Sequence, residues 1–319
     1  MRYYAGIDLG GTFIKCGIVD ESGNIVCKDK VPTGRERNYL EIAADMASLA
    51  LKTAKRADVE ISAVGIGAPG TVDSEHGVIV YSNNIRWDNI PLGEKLQNIL
   101  HKPVFVTNDA NAAALGESVC GAGKDYRSLI LITLGTGIGG GIILDGKLYE
   151  GYRSAGAEIG HQVIRLNGEK CTCGRRGCFE AYASATALIR QTKRAMKRHP
   201  HSKMWEICDL SHVDGQTIFQ AVRQGDDTAK AVLEKYIEYL AAGITNLANA
   251  FRPEIILLGG GICEEREMLI APLTAILQKE QFGGSGYAPV RLGIAALKND
   301  AGICGAAEFA KRRLNHLGD

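Results

Sequence analysis

One arrangement of apolar and glycine residues occurs twice in this chain, and it limits the possible folds more than any other feature. Each copy consists of a strand, a glycine-rich turn, a second strand and a polar turn into a third strand. The first copy contains the predicted strands Ala5–Asp8, Phe13–Val19 and Ile25–Val31. The second contains predicted strands from Leu129 to Leu134 and on to Leu144, followed by an Asp145-Gly146 turn. Such turns between apolar runs are typical of antiparallel hairpins, so we predict two similar halves.

Segments with helical apolar spacing and short buried strands follow each copy, as in an α/β fold. The predicted helices are Leu40–Leu51, Asp109–Val119, Ala183–Met196, Thr217–Arg223, Ala229–Ala250 and Ile303–Arg313. The predicted strands are Ile61–Ile66, Val104–Val106 and Ile255–Leu258. A length of 319 residues also exceeds the usual size of one domain. We therefore predict a two-domain α/β protein, with residues 1–118 completed by helix 302–319 and residues 119–301 forming the larger domain.

The charge balance of the chain argues against a polyanionic partner. The chain has 37 Lys and Arg side chains and 36 Asp and Glu side chains, so no positive excess favours nucleic acid or an anionic membrane. The first residues lack the apolar stretch of a signal peptide, and glycines and threonines interrupt the apolar run from Leu129 to Leu144. We predict a soluble cytoplasmic protein that binds small molecules, with no nucleic-acid partner and no membrane span.

The glycine-rich turn of each copy is a candidate phosphate loop, because glycine lets backbone N–H groups approach an anion closely. In the first copy the loop runs from Asp8 to Thr12, and Asp8 could orient Mg²⁺ through water. In the second copy Gly135–Gly137 occupies the matching position. Each loop alone is equally well explained as a tight hairpin turn. Together they predict the paired phosphate contacts of a phosphoryl-transfer enzyme.

A third glycine cluster, Gly259–Gly261, follows the predicted strand Ile255–Leu258. Its bare backbone could carry the nucleoside of ATP, although a strand-to-helix turn explains the same residues. The two hairpin loops lack the lysine of a GxxxxGK[ST] loop, and a strand rather than a helix follows each of them. The chain is therefore predicted to bind ATP differently from the two common nucleotide-binding motifs.

Asp109 is the candidate general base. It follows the predicted strand Val104–Val106 at the start of a helix, where open α/β sheets bind their ligands. A carboxylate there can accept the proton of a sugar hydroxyl as the hydroxyl attacks phosphorus. Asn and Asp are also favoured helix N-caps, so Asn108-Asp109 is equally consistent with a capping role alone.

One histidine and three cysteines form a candidate metal site. These are His161, Cys171, Cys173 and Cys178. Three thiolates and one imidazole complete a tetrahedral shell, which predicts a closed, structural zinc site. A disulfide or three free thiols are the alternatives, and the odd total of nine cysteines argues against a general disulfide framework. Glu158, close by, could accept hydrogen bonds from paired hexose hydroxyls or simply be solvated.

Taken together, these motifs resemble the ROK family of bacterial sugar kinases and related repressors, within the actin and hexokinase-like superfamily. The resemblance covers nearly the whole chain. It rests on Asp8–Thr12, Asn108–Ala112, Gly135–Gly141, Ala157–His161, Cys171–Glu180 and Gly259–Gly261. It implies two ribonuclease H-like domains with an interdomain cleft, ATP with Mg²⁺ as phosphoryl donor, structural Zn²⁺, and a homodimer or a dimer of dimers.

The resemblance also implies roles for individual residues of this sequence, with Asp109 as the general base. The implied hexose contacts are Gly70, Asn84, Asn108, Asp109, Glu158, His161 and Glu180. The predicted ATP and phosphate contacts are Asp8, Gly10, Gly11, Thr12, Lys15, Thr133, Gly135, Thr136, Gly137, Gly259 and Gly260. The implied zinc ligands are His161, Cys171, Cys173 and Cys178.

The implied function is ATP-dependent phosphorylation of a hexose, first of all glucose to glucose 6-phosphate. Asn84–Trp87 and Ala157–His161 look like the corresponding segments of glucokinases. Kinases of N-acetylmannosamine, fructose or another hexose share nearly all these groups and form the alternative. A non-catalytic sugar sensor is a second alternative, which the intact Asp109 and both phosphate loops disfavour. Because no helix-turn-helix segment precedes Asp8, DNA binding is not expected.

Overall fold

The computed structural model describes residues 1–317, apart from the side chain of Ser285. Internal contacts divide the chain into two compact units. The first unit comprises Met1–Leu131, Gly141–Ala157 and the described residues from Ala295 onward, and the second comprises Ile132–Gly140 and Glu158–Ile294. The domain limits expected at residues 118 and 302 stay a prediction. Among the helices of residues 1–317, none has the length and apolar character that crossing a bilayer requires.

The described residues form both strands and helices along the whole chain. The strands are β1 (Tyr3–Leu9), β2 (Phe13–Asp20), β3 (Ile25–Pro32), β4 (Ile61–Ala68), β5 (Thr71–Asp73), β6 (Val78–Ser82), β7 (Trp87–Ile90), β8 (Val104–Asn108), β9 (Leu129–Leu134), β10 (Ile138–Leu144), β11 (Lys147–Leu148), β12 (Ile255–Gly259) and β13 (Arg291–Ile294). The helices are α1 (Tyr39–Arg56), α2 (Leu92–Leu100), α3 (Asp109–Cys120), α4 (Glu180–Ala183), α5 (Ala185–Arg198), α6 (Met204–Ile207), α7 (Thr217–Arg223), α8 (Asp227–Phe251), α9 (Arg266–Glu280) and α10 (Ala301–His316).

Two five-stranded sheets have the same topology. The first has the strand order β3-β2-β1-β4-β8, and the second has the order β11-β10-β9-β12-β13. In the first sheet β1 pairs antiparallel with β2 and parallel with β4, so Asp8 lies opposite Lys15 on one side and Gly67 on the other. In the second sheet, the hairpin between β10 and β11 turns through Asp145 and Gly146, which both have positive φ. The predicted duplicated α/β fold is confirmed by this repeated strand order.

A third sheet, β5-β6-β7, was not predicted from the sequence. Its three short strands follow β4 directly, and the turn between β6 and β7 carries Asn84. Buried Ile85 and Trp87 hold this turn. The ring of Trp87 packs edge-on against the ring of Tyr39, with 6.3 Å between the ring centroids. The small sheet thereby fixes the position of one predicted hexose residue.

The core of the first unit covers both faces of the first sheet. On one face α1 and α2 bury residues such as Ile42, Met46 and Leu96 against the strands. On the other face α10 lies so close that its backbone contacts the strand backbone. A Cβ atom added to Gly6 would lie 2.0 Å from the Ile303 carbonyl oxygen, and one at Gly65 would lie 1.7 Å from that of Ala306. Glycine is therefore required at these positions of β1 and β4.

The buried carboxylate of Glu117 holds the segment that leads into α10. This side chain lies near the end of α3 and has no exposed surface. It accepts hydrogen bonds from the backbone N–H groups of Ala122 at 2.9 Å, Ala296 at 3.0 Å and Leu297 at 2.7 Å. These charge-assisted bonds satisfy donors from two distant parts of the chain at once.

Most predicted elements are present, with bounds shifted by a few residues. The helix expected over Ala183–Met196 is present as α5, but it starts two residues later, because Ser184 separates it from the short helix α4. The extended backbone of Ser184 ends α4, and its hydroxyl accepts the N–H of Ala187 to cap α5. Serine competes for backbone hydrogen bonds in this way and so favours a helix start over a helix interior.

Candidate functional site

The first glycine loop is a tight hairpin between β1 and β2. The N–H of Gly10 donates to the carbonyl of Phe13 at 3.0 Å. Fully buried Thr33 holds the loop from the end of β3, because its hydroxyl donates to the Gly10 carbonyl at 2.6 Å and its N–H donates to the Thr12 carbonyl at 2.9 Å. Gly11 is half-buried and Thr12 is exposed. The loop therefore has a fixed shape and presents Thr12 to solvent.

Asp8 and Lys15 form an ion pair across the base of this hairpin. Lys15 Nζ lies 3.0 Å from Asp8 Oδ2, and both side chains are mostly buried. A Cβ atom at Gly302, in the first turn of α10, would lie 3.1 Å from the carboxyl carbon of Asp8. The two residues predicted to contact phosphate and Mg²⁺ are thus adjacent, and each holds the other in place.

Asn108 and Asp109 have different roles at the junction of β8 and α3. Asn108 is the N-cap, and its Oδ1 accepts the N–H groups of Ala110 at 2.9 Å and Asn111 at 3.2 Å. Asp109 is the first residue of the helix and is half-buried. Its Oδ1 accepts the N–H of Ala110 at 2.8 Å. Because Asn108 supplies the cap, capping alone does not account for Asp109, whose charge is favoured by the positive end of the helix dipole.

Gly70 and Asn84, the other predicted hexose residues of this unit, also lie close to these loops. The Asn108 side-chain amide donates to the Gly70 carbonyl at 2.9 Å. Gly70 has φ of +103°, and a Cβ atom there would lie 2.1 Å from the Tyr81 carbonyl oxygen, so only glycine fits. Asn84 is exposed, and its carbonyl oxygen would lie 3.9 Å from a Cβ atom on Gly11. The predicted residues of the first unit therefore cluster around the carboxyl ends of β1, β4 and β8.

The second and third glycine clusters meet within the second unit. The N–H of Gly135 donates to the Gly137 carbonyl at 3.0 Å, closing the turn that follows Thr133 and Leu134. Gly260 has φ of +107°, and a Cβ atom there would lie 2.1 Å from the Leu134 carbonyl oxygen. The end of β12, with Gly259, is therefore adjacent to the hairpin between β9 and β10. Gly135 and Thr136 are exposed, so their backbone is accessible to a ligand.

The carboxylate of Glu180 lies on this hairpin. Its Oε2 accepts the N–H of Ile138 at 3.0 Å, and a Cβ atom at Gly137 would lie 2.1 Å from the same oxygen. Its Oε1 accepts the hydroxyl of Thr172 at 3.1 Å and the thiol of Cys171 at 3.6 Å. One side chain therefore joins the glycine hairpin to the cysteine-rich loop.

The four predicted metal ligands are brought together in the second unit. Their donor atoms all lie within 4.8 Å of one another. The Cys171 sulfur is 3.7 Å from His161 Nδ1, and the sulfurs of Cys173 and Cys178 are also 3.7 Å apart. A tetrahedral zinc ion with Zn–S bonds of about 2.3 Å separates its ligand atoms by about 3.8 Å. Donor type, number and spacing all fit zinc.

Glycine turns and thiol chemistry support the same assignment. Gly174 and Gly177 have φ of +88° and +84°, and a Cβ atom at Gly177 would lie 1.8 Å from the Arg165 carbonyl oxygen. None of the nine cysteines, which all lie in the described part of the chain, forms a disulfide. A bound cation would replace these thiol protons.

His161 also connects the metal cluster to Glu158. Ile159–His161 forms one turn of 3-10 helix that starts after Glu158, and the His161 N–H donates to the Glu158 carbonyl at 3.1 Å. The Glu158 side chain is exposed, whereas His161 is half-buried. The short helix therefore fixes the distance between a hexose candidate and a metal ligand.

A comparison with known proteins agrees with this arrangement. The sequence profile of the ROK family matches residues 4–313. The chain belongs to the ROK family. It is 37% identical to a glucokinase of Thermotoga maritima over 311 residues, 97% of each chain, and 40% identical to a glucokinase of Streptomyces coelicolor over 311 residues, 96% of each chain. The structure of a ROK family glucokinase from Streptomyces griseus in complex with glucose and AMPPNP superimposes with a TM-score of 0.83 at 35% identity, covering 97% of this chain and 99% of that chain.

Three residues that support the site of this ROK protein were not found from the sequence. Thr33 fastens the first glycine loop, and Thr172 donates to Glu180. Glu150 accepts the hydroxyl of buried Thr107, next to Asn108, at 3.1 Å. Thr172 could have been found, because it lies between two predicted metal ligands. The other two act across long sequence distances and leave no local pattern.

Proposed function

We propose that this ROK protein transfers the γ-phosphoryl group of ATP to a hexose, converting glucose to glucose 6-phosphate. The observation that carries the proposal is the half-buried carboxylate of Asp109 at the positive end of α3, beside an asparagine that already caps the helix. The relatives named glucokinase, and the glucokinase structure that contains glucose and AMPPNP, support the same reaction.

Asp109 acts as the general base. A carboxylate at this position accepts the proton of the hexose hydroxyl as its oxygen bonds to phosphorus. Asn108 cannot take this role, because its amide is neutral and both of its polar atoms are already hydrogen-bonded. Asn108 instead bonds both to the Gly70 carbonyl and to the first turn of α3, so that Asp109 keeps one orientation.

The glycine hairpins hold the phosphates of ATP. ATP with Mg²⁺ supplies the phosphoryl group and neutralises charge on the phosphate oxygens when bound. In the first unit Thr12 and Gly11 contact phosphate, and Gly10, whose N–H donates to the Phe13 carbonyl, shapes the loop. In the second unit Thr136 and Gly137 contact phosphate, and the N–H of Gly135 closes the turn. Asp8 would hold Mg²⁺ through water, and Lys15, which is ion-paired with Asp8, would keep that carboxylate in position. Gly259 and Gly260, with Thr133 nearby, accept the nucleoside.

The remaining predicted residues bind hexose and zinc. Gly70, Asn84 and Asn108 in the first unit, and Glu158, His161 and Glu180 in the second, contact sugar hydroxyls. Zn²⁺ bound by His161, Cys171, Cys173 and Cys178 would tie the loop of His161 to that of Glu180 and serve as a structural ion. We further propose that the protein acts in the cytoplasm as a homodimer.

A coupled assay of ADP release with a panel of sugars tests this function. Glucose, fructose, mannose and N-acetylmannosamine are supplied separately with ATP and Mg²⁺. We expect the highest kcat/KM with glucose. A higher value with N-acetylmannosamine would reassign the substrate, and no turnover with any sugar, despite measurable binding of glucose, would show a sugar sensor instead.

A further inference from the structure

A threonine directly after β3 sets the direction of one peptide group in the first glycine loop. Thr33 has no exposed surface, and its hydroxyl donates to the Gly10 carbonyl at 2.6 Å. No peptide bond in residues 1–317 is cis. In a trans peptide the C=O of one residue and the N–H of the next point in opposite directions. The bond to the Gly10 carbonyl therefore turns the Gly11 N–H away from Thr33.

The loop uses its carbonyl groups for internal bonds and leaves two N–H groups without a partner. The Thr12 carbonyl accepts the N–H of Thr33 at 2.9 Å, so Thr33 holds the carbonyls on both sides of Gly11. The N–H groups of Gly11 and Thr12 have no hydrogen-bond partner within residues 1–317. Unpaired N–H groups on a glycine turn are donors that bind anions. Thr33 thus determines the direction of one such donor.

Arg37 holds Thr33 in turn, by folding back over the loop that leads into α1. Its Nη2 donates to the Thr33 carbonyl at 2.9 Å and to Asp45 Oδ2 on α1 at 2.6 Å. Gly34 makes room for this side chain: it has φ of +59°, and a Cβ atom there would lie 2.6 Å from Arg37 Nε. Arg37 therefore links the position of Thr33 to a helix.

The start of α1 is itself well fixed. Asn38 is the N-cap, its side chain accepts a backbone N–H of the first turn at 2.9 Å, and the Glu41 carboxylate accepts the Asn38 N–H at 3.1 Å. This reciprocal capping box holds the first turn, which precedes Asp45. By contrast, the only hydrogen bond of the Arg35 side chain within residues 1–317 goes to the neighbouring Glu36, at 3.5 Å. Arg35 therefore has no part in the link and provides a matched control.

We propose that Thr33, held by Arg37, aims the Gly11 N–H at a phosphate group of ATP. This inference rests on the proposed function and adds two positioning residues to it. Neither side chain contacts the nucleotide, because both act through the peptide group that joins Gly10 to Gly11. Without the hydroxyl bond this peptide group can rotate, so it has to be ordered when ATP binds, and that cost weakens binding. Hexose affinity stays the same, because no proposed hexose contact lies in this loop.

Steady-state kinetics of Thr33→Val tests the role of the hydroxyl. Valine fills the same buried space but cannot donate to the Gly10 carbonyl. We expect KM for ATP to rise about tenfold, as for the loss of one hydrogen bond, while KM for glucose changes less than about twofold. Thr33→Ser, which keeps the hydroxyl, should restore KM for ATP. A variant that only melts at a lower temperature, or that raises both KM values alike, would show a merely structural threonine and overturn the proposal.

Arg37→Ala tests the link to α1. The ion pair of Arg37 with Asp45 is partly exposed, so its loss should have a smaller effect, about a three- to fivefold rise in KM for ATP. Arg35→Ala removes the same charge from the same loop and should leave both KM values unchanged. The same KM for ATP in Arg37→Ala and Arg35→Ala would contradict the role of Arg37.

Calorimetric titration with Mg²⁺ and AMPPNP separates this inference from the proposed function. It measures nucleotide affinity without turnover, and we expect about tenfold weaker binding by Thr33→Val than by the unmodified protein. Equal affinity of the two would overturn the inference and leave the kinase activity intact. Binding of AMPPNP without phosphorylation of any sugar would refute the proposed function, and the ratio of the two affinities would still decide the role of Thr33.

Discussion

The carboxylate of Glu180 accepts the backbone N–H of Ile138 at 3.0 Å, which joins the cysteine-rich loop to the second glycine hairpin. Gly137 makes room for this bond, since any side chain there would overlap the carboxylate. The other carboxylate oxygen is held by Thr172, between two metal ligands. The position of a predicted hexose contact thus depends on both loops.

Replacing Thr172 with valine should weaken hexose binding without loss of the metal. Valine has nearly the same shape but cannot donate a hydrogen bond to Glu180, so the carboxylate loses one of its restraints. We expect KM for glucose to rise about five- to tenfold, kcat to change less, and the zinc content to stay at the level of the unmodified protein. Thr172→Ser, which keeps the hydroxyl, should restore KM. If valine and serine variants behaved alike, the hydroxyl would have no positioning role.

Asp109→Asn should abolish most turnover and leave glucose binding largely intact. The amide fills the same space but cannot accept the hydroxyl proton, so kcat should fall on the order of a hundredfold or more. Steady-state kinetics and calorimetric titration with glucose separate the two effects. Asp125→Asn, at an exposed position after α3, is a control of equal charge change. An unchanged kcat in Asp109→Asn would remove Asp109 from the mechanism.

The purified protein should contain about one zinc ion per chain, and Cys173→Ser should lower that content. Cys173 is the exposed ligand of the cluster, so its replacement opens the shell with little change in core packing. We expect a lower melting temperature and a higher KM for glucose, because the loops of His161 and Glu180 lose their common restraint. Elemental analysis and thermal melting measure both effects. Cys27→Ser is the matched control, and native protein without zinc would reject the site.

Glu117→Ala should destabilise the protein strongly. The change leaves the N–H groups of Ala122, Ala296 and Leu297 without their buried acceptor, at a cost of about 3 kcal/mol or more in the free energy of unfolding. Urea denaturation measures this loss. Glu75→Ala removes an exposed carboxylate and should have little effect. A similar midpoint for both variants would show that Glu117 is not the anchor of the segment before α10.

The stabilising effect of Asp226 should disappear in acid. This buried residue caps α8: its Oδ1 accepts the N–H of Ala229 at 2.6 Å, and its Oδ2 accepts the hydroxyl of Ser202 at 2.8 Å. Burial opposes ionisation, but these donors outweigh it and lower the pKa of Asp226. The pKa of Asp226 is lower in the native protein than in the unfolded chain, where it is about 3.9. The charge therefore stabilises the fold fully at pH values above the unfolded pKa, and this stabilisation is lost as the pH falls through the native pKa.

The difference in unfolding free energy between unmodified protein and Asp226→Asn therefore tests this effect. It should be constant between pH 6 and pH 8 and shrink below about pH 4. A difference that stayed the same down to pH 3 would mean that the charge of Asp226 contributes nothing to the cap.

Local patterns account for the parts of the fold that could be predicted. Alternating apolar residues and glycine turns defined both meanders, and helical spacing located α1, α3, α7 and α8 to within a few residues. The strands β5 to β7 were missed, because they are short and half exposed. A helix was expected after Gly261, but the bounds of α9 could not be given, because it contains Pro272 and its apolar residues show little helical periodicity. These elements depend on tertiary packing more than on local sequence.

The candidate site divides in the same way. The glycine loops, Asp109 and the metal ligands could be predicted, since each lies next to a predicted strand or within a compact motif. The sequence could not show that Asn108 rather than Asp109 is the N-cap. Asn and Asp cap helices equally well, and only the backbone angles distinguish the two positions. Thr33 and Glu150 act through contacts with residues far along the chain, which a single sequence does not reveal.

The glycine contacts beneath α10 have a consequence for how the protein is made. Gly6 and Gly65 emerge from the ribosome long before Ile303 and Ala306, their packing partners, have been synthesised. Until then one face of the growing sheet, including Tyr4 and Val19, stays uncovered on the nascent chain. A stop codon shortly before Ala301 would leave that face permanently open, so such a truncated product should be a target for chaperones and proteases.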